Sequence, residues 1–281
     1  MEIFSTIRSL QSALSGYRNS NSTIGFVPTM GALHKGHLSL VEQSLAGNDI
    51  TVASIYVNPP QFNNRDDLRN YPRNFPEDCS LLRTIGCTLV FAPDDKEMYP
   101  SEDTRTFDFG GMGSVMEGLY RPGHFNGVAQ IVTKLFDAVE PHRAYFGKKD
   151  FQQLVIIRKL VADYRYPIEI VGCETMREPD GLAMSSRNTL LTPDCRKAAS
   201  LIYQSLCKAK EMVVHSTLKE IVLYVNRVFK MNPFLKLEYF QVVDPLTLNP
   251  VEEITPGSPA TACIAVYADK VRLIDNIDFI S

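Results

Sequence analysis

Short runs rich in β-branched residues alternate with helical patterns from Ile24 to about Gly172. This alternation is the sequence form of βαβ units, in which a helix connects two parallel strands. The most apolar run, residues 50–57, is typical of a central strand that is covered on both faces. We therefore predict an α/β fold with a parallel sheet and helices on both faces. The strands are expected at 24–27, 50–57, 88–91, 144–146 and 168–171, and the helices at 36–45, 76–85, 125–139 and 151–164.

The pattern changes after Thr192-Pro193-Asp194, which supplies an N-cap followed by a proline at the first helical position. Helical stretches at 194–214 and 217–229 precede strand-like runs at 236–243, 261–267 and 271–277, an order typical of an antiparallel α+β unit. At roughly 150 residues per domain, 281 residues favour two domains, although one large α/β domain would also fit. We predict a Rossmann-like domain over 1–178 and a smaller C-terminal α+β lid domain over 179–281. The glycine cluster at 110–113 is expected to be a flexible loop.

The composition narrows the class of protein. The 29 basic and 32 acidic residues are interspersed and give a net charge of -3, so nothing suggests a nucleic-acid or membrane partner. No apolar run approaches the roughly 18 residues that span a bilayer, and the first residues do not resemble a secretory leader, so we expect a cytoplasmic protein. The six cysteines form no C-x-x-C pair, which indicates free thiols rather than a zinc site or a disulfide framework.

The segment from Pro28 to Leu40 contains the motif His34-Lys35-Gly36-His37 between a strand and a helix. Free backbone N–H groups and the positive end of the helix dipole are expected to converge there on a phosphate. The two imidazoles fall on one side of the first turn, where their N–H groups can stabilise negative charge on a phosphoryl group. Gly36 would let a nucleotide lie against the backbone. The sequence has no Walker A motif, so its phosphate site must be built differently.

Further polar residues follow other strands or open other helices. Asn58 and Gln61 come just after the central strand, and Gln153 lies in the first turn of a later helix. Such neutral amides can orient a carboxylate without quenching its nucleophilicity. A second phosphate-binding segment is expected at 147–150 and a third at 184–187, where lysine, serine and arginine side chains would contact phosphates. Arg121 and His124 flank a turn at a helix start, and we place them at the edge of the site.

The motif H-x-G-H resembles the nucleotide-binding signature of nucleotidylyltransferases and class I aminoacyl-tRNA synthetases. Five further motifs narrow the resemblance to the AMP-forming pantoate–β-alanine ligase family over at least residues 24–190. They are Asn58-Pro59-Pro60-Gln61-Phe62, Tyr71-Pro72-Arg73, Arg121-Pro122-Gly123-His124-Phe125, the segment from Tyr145 to Gln153, and the segment from Asp180 to Asn188. The turn around Ser185 is similar in role to the K-M-S-K-S loop of class I synthetases.

The resemblance implies that ATP and pantoate react to form pantoyl adenylate and pyrophosphate, and that β-alanine then displaces AMP. Mg²⁺ would bridge the phosphates, although its protein ligands are unknown, and the protein would be a homodimer. The residues implied to stabilise the developing charge are His34, His37, Lys149, Ser185, Ser186 and Arg187. The nucleotide would also contact Met30, Gly31, Ala32, Leu33, Lys35, Gly36, Gly147, Lys148, Asp150, Met176 and Met184. The residues implied to bind or border pantoate are Asn58, Gln61, Gln153, Arg121 and His124.

Two alternatives stay open from the sequence alone. A nucleotidylyltransferase of the same fold would transfer AMP or CMP to a phosphorylated acceptor, but this function gives no reason for Gln61 and Gln153. A non-catalytic nucleotide sensor would keep the fold and its pocket. The phosphate-contacting residues in both halves of the sequence argue against that second alternative.

Overall fold

Two sheets organise the protein, which is known from a computed structural model that describes residues 1–255 and 257–280. The larger sheet has six strands, all parallel, in the order β1-β4-β3-β2-β5-β6. These strands are β1 (Glu2–Phe4), β2 (Ile24–Thr29), β3 (Ile50–Ile55), β4 (Leu89–Phe91), β5 (Arg143–Gly147) and β6 (Glu169–Cys173).

Helices cover both faces of this sheet because its strands alternate buried side chains between two apolar layers. Phe26 and Phe146 pack in one layer with helices α1, α7 and α8, whereas Val27 and Tyr145 pack in the other with α2 and α4. The helices are α1 (Ile7–Asn19), α2 (Lys35–Gly47), α3 (Arg65–Asn70), α4 (Phe75–Thr84), α5 (Asp95–Met98), α6 (Met116–Tyr120), α7 (His124–Val139) and α8 (Phe151–Asp163). The predicted α/β sheet is confirmed.

The smaller sheet is antiparallel and has the order β7-β8-β9 within the described residues. Its strands are β7 (Leu235–Val243), β8 (Ala260–Ala268) and β9 (Val271–Ile280), and its helices are α9 (Pro193–Ala199), α10 (Leu201–Met212) and α11 (Leu218–Lys230). The helices bury Ile202, Leu206 and Val225 against the strands, which gives this part a core of its own. The predicted C-terminal α+β fold is confirmed, whereas the boundary after residue 178 stays a prediction.

The structure departs from the predicted elements at a few places. Strand β1 and helix α1 had no counterpart in the prediction. The stretch 194–214 is two helices that meet at Ser200, whose hydroxyl donates to the Lys197 carbonyl at 3.1 Å. The glycine cluster is a 3₁₀-helix, Gly110–Gly113, rather than an irregular loop. No helix within the described residues is long and apolar enough to cross a bilayer.

Candidate active site

A cavity of about 230 Å³ opens where β2 and β5 end side by side. The chain runs to opposite sides of the sheet from this point, and such switch points are where open α/β sheets bind ligands. Most of the predicted site residues line it, namely Met30, His34, Gly36, His37, Asn58, Gln61, Arg121, His124, Gly147, Lys149, Asp150, Gln153, Met176, Met184, Ser185, Ser186 and Arg187. Gly31, Ala32, Leu33, Lys35 and Lys148 are not in its lining.

The two histidines of the motif cap their own helix. The Nδ1 atom of His34 accepts the backbone N–H of Gly36 at 3.1 Å, and the Nδ1 atom of His37 accepts the backbone N–H of His34 at 3.3 Å. An Nδ1 atom that accepts a hydrogen bond carries no proton, so the proton of each neutral ring is on Nε2. The ring centroids lie 4.1 Å apart. The helix cap therefore fixes two neutral rings as Nε2–H donors.

Their surroundings keep both rings neutral near pH 7. Burial and the charge of Lys149 lower the pKa of His34 to about 4. Burial, the adjacent His34 and the charge of Lys149 lower the pKa of His37 to about 3. The pair is thus suited to hydrogen bonding to an anion and unsuited to act as a general acid at neutral pH.

The prediction of free backbone N–H groups before α2 is wrong for Ala32 and Leu33. The backbone N–H groups of Ala32 and Leu33 donate to the two carboxylate oxygens of Asp78, at 2.9 and 2.7 Å. Asp78 is 2% exposed and comes from helix α4. Its carboxylate holds the turn in which Gly31 has a φ of 77°. The imidazoles supply donors that these two main-chain groups do not offer to a phosphate.

Gly36 has a structural role within the protein beside the predicted one, which stays a prediction. A Cβ atom at this position would lie 2.8 Å from Cε1 and 2.9 Å from Nδ1 of His34. The glycine therefore makes room for the capping imidazole as it folds over the first turn. The group that lies close to the Gly36 backbone is thus the ring of His34, itself a predicted catalytic residue.

The segment that carries Gln61 is fixed by helix α7. The amide of Asn58 donates to the Gly127 carbonyl at 3.0 Å and accepts the Tyr99 hydroxyl at 2.6 Å. The carbonyl of Gln61 lies 2.9 Å from Nδ1 of His124, which must therefore carry the proton. Burial, first, and Arg121 lower the pKa of His124 to about 4, so this ring is also neutral. Asn58 and His124 thus hold the main chain of the segment 58–61, and the side chain of Gln61 is available to bind a ligand.

Two adjacent glutamines at the start of α8 have different roles. The buried amide of Gln152 donates to the carbonyls of Met112 and Val115 at 2.8 and 2.9 Å, and it accepts the backbone N–H of Glu117 at 2.9 Å. Gln153 lines the cavity, and across the described residues its side chain has no protein hydrogen-bond partner. Gln153 is therefore the member of the pair that can bind a ligand.

Cationic side chains surround a smaller cavity of about 80 Å³, whose lining includes Arg121, Lys149, Asp150, Ser185 and Arg187 from the larger cavity and Arg272 from β9. The Arg187 guanidinium forms two hydrogen bonds with Asp67, at 3.2 and 2.8 Å. The hydroxyl of Ser186 donates to the Ala32 carbonyl at 3.0 Å, which joins the two predicted phosphate segments. Arg272 was not predicted, because it lies 155 residues from its partner Glu117.

An apolar wall of the larger cavity was also not predicted as part of the site. It consists of four residues on one face of α7, namely Val128, Ile131, Val132 and Leu135. Their spacing is the ordinary helical one, and the sequence signal is the same as that of a core-facing helix. Tyr71 also lines the cavity, and the Arg187 guanidinium lies 5.5 Å from the centroid of its ring.

The family model described as Pantoate-beta-alanine ligase matches residues 2–278. The chain belongs to the pantoate–β-alanine ligase family. A relative in Bacteroides fragilis, named pantothenate synthetase, is 50% identical over 99% of both chains. A crystal structure of pantothenate synthetase from Thermus thermophilus has a TM-score of 0.93, with 41% identity and complete coverage of both chains.

A second solved structure bears on the ligands of the family. The pantoate–β-alanine ligase of Francisella tularensis, complexed with β-γ ATP and β-alanine, has a TM-score of 0.82 and 35% identity over 99% of this chain and 98% of that one. Membership of the family confirms the predicted resemblance and the prediction of an enzyme that joins pantoate to β-alanine. The roles of individual site residues stay predictions.

Proposed function

We propose that the protein joins pantoate to β-alanine through a pantoyl adenylate, consuming ATP and releasing AMP and pyrophosphate. One observation carries this proposal: a single cavity combines neutral imidazole donors, cations, and two amides beside an apolar wall. The imidazole donors and the cations suit the phosphates of a nucleotide, whereas the amides and the apolar wall suit a hydroxy acid. The complex of the Francisella tularensis enzyme with β-γ ATP and β-alanine supports ATP and β-alanine as two of the substrates.

The apolar wall on α7 and the two glutamines match pantoate in their chemistry. Pantoate carries a carboxylate, two hydroxyls and a carbon with two methyl groups. The amides of Gln61 and Gln153 would bind the polar groups, while Val132 and its neighbours on the wall would contact the methyl groups. An amide orients the carboxylate without the strong charge stabilisation that an arginine would give, so the carboxylate stays nucleophilic.

In the first half-reaction a carboxylate oxygen of pantoate attacks the α-phosphorus of ATP. The bond from this phosphorus to the bridging oxygen breaks, and pyrophosphate leaves. The Nε2–H groups of His34 and His37 would donate to the oxygens on which charge develops. Lys149 and Arg187, with the hydroxyl of Ser185, would bind the phosphates that leave, while Ser186 would hold this segment through its bond to the Ala32 carbonyl. The enzyme supplies position and charge, with no covalent intermediate on a side chain.

In the second half-reaction the neutral amine of β-alanine attacks the acyl carbon of the adenylate. The bond from this carbon to the phosphate oxygen breaks, AMP leaves, and the nitrogen loses one proton to form the amide. Water in the cavity would hydrolyse the adenylate instead. The C-terminal domain and the segment 110–118 are candidate closing elements for that reason.

Mg²⁺ would assist by neutralising charge on the phosphates of ATP. Within the described residues, no three His, Cys, Asp or Glu side chains are grouped as metal ligands. This arrangement fits a hard cation that binds mainly phosphate oxygens and water. Asp150 lines both cavities and is one carboxylate that could contact such an ion.

We also propose that the enzyme is a homodimer joined through its N-terminal domains and that it works in the cytoplasm without a nucleic-acid partner. The family resemblance supports the dimer, and the interspersed charges support the absence of a nucleic-acid partner. Light scattering of the purified protein tests the dimer. A mass of 31.6 kDa, that of one chain, would contradict it.

The proposed reaction predicts exchange of labelled pyrophosphate into ATP that requires pantoate and does not require β-alanine. The reason is that adenylate formation is reversible and precedes the arrival of the amine. Exchange without pantoate would instead indicate a different acceptor, as in a nucleotidylyltransferase. A folded preparation with no exchange at all would contradict adenylate formation and leave a nucleotide sensor as the explanation.

The variant Gly36→Ala is expected to lose about a hundredfold in the exchange rate, because the added Cβ displaces the His34 ring and an error of about 1 Å in a catalytic group can cost this much. The free energy of unfolding should change by less than about 1 kcal/mol, since alanine is the better helix former. The matched control is Gly16→Ala in α1, where a Cβ would meet no atom within 4 Å. An unchanged exchange rate in Gly36→Ala would refute this account of the glycine.

A further inference from the structure

Strand β9 of the smaller sheet reaches across to the unit that contains the cavity. Arg272 binds Glu117 with two hydrogen bonds of 2.7 Å, and Asp275 binds Arg177 with bonds of 2.6 and 3.0 Å. The third contact differs from these ion pairs. The side-chain amide of Asn276 donates to two successive main-chain carbonyls, those of Lys148 and Lys149, at 2.9 Å each.

The segment that Asn276 contacts is a single 3₁₀ turn, Lys148–Asp150, between β5 and α8. One turn of this helix fixes few hydrogen bonds of its own. Neither Gly147 before the turn nor Asp150 at the start of α8 provides a side-chain cap. The turn thus has no side-chain cap at either end. The amide of Asn276 supplies a hydrogen-bond donor from outside the turn.

The orientation of this turn decides where Lys149 points. The side chain of Lys149 is 19% exposed and lines both cavities, 3.8 Å from Asp150. A lysine ammonium has a flexible four-carbon stem, so its position depends on the direction in which the main chain presents it. The backbone carbonyls on either side of the Lys149 Cα are both bound by the same amide nitrogen.

We propose that Asn276 is a positioning residue, which clamps the turn Lys148–Asp150 so that Lys149 is directed at the phosphates of ATP. The inference rests on the proposed function, because it assumes that the cavity binds ATP. It assigns to the smaller sheet a part in building the nucleotide site. Pantoate binding should depend less on this clamp, since Gln61 lies on another segment and Gln153 lies in helix α8, whose first turn is also held by the hydrogen bonds of Gln152.

The variant Asn276→Ala is expected to bind ATP about tenfold more weakly, because it loses two hydrogen bonds of ordinary strength. Titration calorimetry with ATP measures this change directly, and exchange assays give the KM for each substrate. The KM for ATP should rise while that for pantoate stays within about twofold. The variant Asn276→Asp keeps the shape but turns a carboxylate towards the carbonyls, so its loss should be at least as large.

A double-mutant cycle separates positioning from general damage. If Asn276 acts through Lys149, then Asn276→Ala should weaken ATP binding much less in a Lys149→Ala background than in the wild type. The matched control is Asn226→Ala in α11, whose amide donates within its own helix to the Val222 carbonyl at 2.8 Å. This control should leave ATP binding unchanged.

The outcomes distinguish this inference from the proposed function. A wild-type protein without pantoate-dependent exchange would contradict the proposed function. Normal wild-type exchange with unchanged ATP binding in Asn276→Ala and Asn276→Asp would overturn the clamp alone. Equal losses for ATP and pantoate, or losses that add fully with Lys149→Ala, would also overturn it, because they indicate a purely structural role.

Discussion

Replacing His37 by alanine is expected to reduce pantoate-dependent pyrophosphate exchange about a thousandfold, the upper range for loss of one donor to a developing charge. The Nε2–H of this ring is a preorganised donor, since its Nδ1 atom is fixed by the backbone N–H of His34. In the described part of the chain, no other side chain is hydrogen-bonded to the Nε2–H of His37. The loss should fall on the rate constant rather than on the KM for pantoate.

The same substitution removes half of a helix cap, and its effect on folding must be measured alongside. Loss of a capping acceptor typically costs about 1 kcal/mol, so the variant should unfold slightly earlier but stay folded at about 25 °C. Denaturant unfolding monitored by circular dichroism gives this value. The matched control is His215→Ala, an exposed histidine after α10. Near-normal exchange by a folded His37→Ala protein would refute the role of the ring.

Replacing Glu117 by alanine is expected to lower the free energy of unfolding by about 3–5 kcal/mol, the range for breaking a buried ion pair. Glu117 is 6% exposed and accepts two bonds from Arg272 and one, at 2.8 Å, from the Tyr239 hydroxyl. Arg272 also binds Glu238, so the substitution leaves a cation with one carboxylate in place of two. The network joins α6 to the smaller sheet, and its loss should loosen that junction.

The control and the pH dependence make this prediction specific. Glu211→Ala removes an exposed pair with Lys208 and should cost less than about 1 kcal/mol of unfolding free energy.

Burial alone would raise the pKa of Glu117, but the hydrogen bonds and charge of Arg272 outweigh it and lower the pKa from 4.5 to about 2. The stabilisation is therefore complete above about pH 4.5 and is lost as the pH falls through about 2.

Urea unfolding of wild type and Glu117→Ala from about pH 7 to about pH 2.5 measures the difference between the two proteins. This difference should be constant down to about pH 4.5 and then shrink, because below that pH the unfolded wild type binds a proton at Glu117 that the variant cannot bind. A difference that stays below about 1 kcal/mol at neutral pH would contradict the proposed importance of the network.

The sequence allowed the parallel sheet to be predicted because buried strands are short and continuously apolar. The run 50–57 contains β3, and the neighbouring runs match β2, β4, β5 and β6 within two residues at each end. Strand β1 has three residues at a sheet edge, too short to show a pattern. Helix α1 was missed although Ile7, Leu10, Leu14 and Tyr17 are spaced at helical intervals, so that signal was present in the sequence.

The candidate site was predictable where its chemistry lies in contiguous motifs. His34, Lys149 and Ser185 were found in this way, and their segments come together at one cavity. Long-range partners leave no local signal. The contacts of Asp78 with the turn before α2 and of Arg272 with Glu117 span 45 or more residues. The tautomers of the histidines also depend on main-chain geometry that a motif does not specify.

The helix cap formed by the two histidines also affects which metals the cavity tolerates. Two imidazoles whose centroids lie 4.1 Å apart could in general bind zinc or copper, because these metals bind a ring through an unprotonated nitrogen. Here both Nδ1 lone pairs point at backbone N–H groups, and both Nε2 atoms carry protons. A transition metal could bind only by displacing a proton and breaking the cap. The same hydrogen bonds that start helix α2 thus disfavour the binding of such metals by this pair.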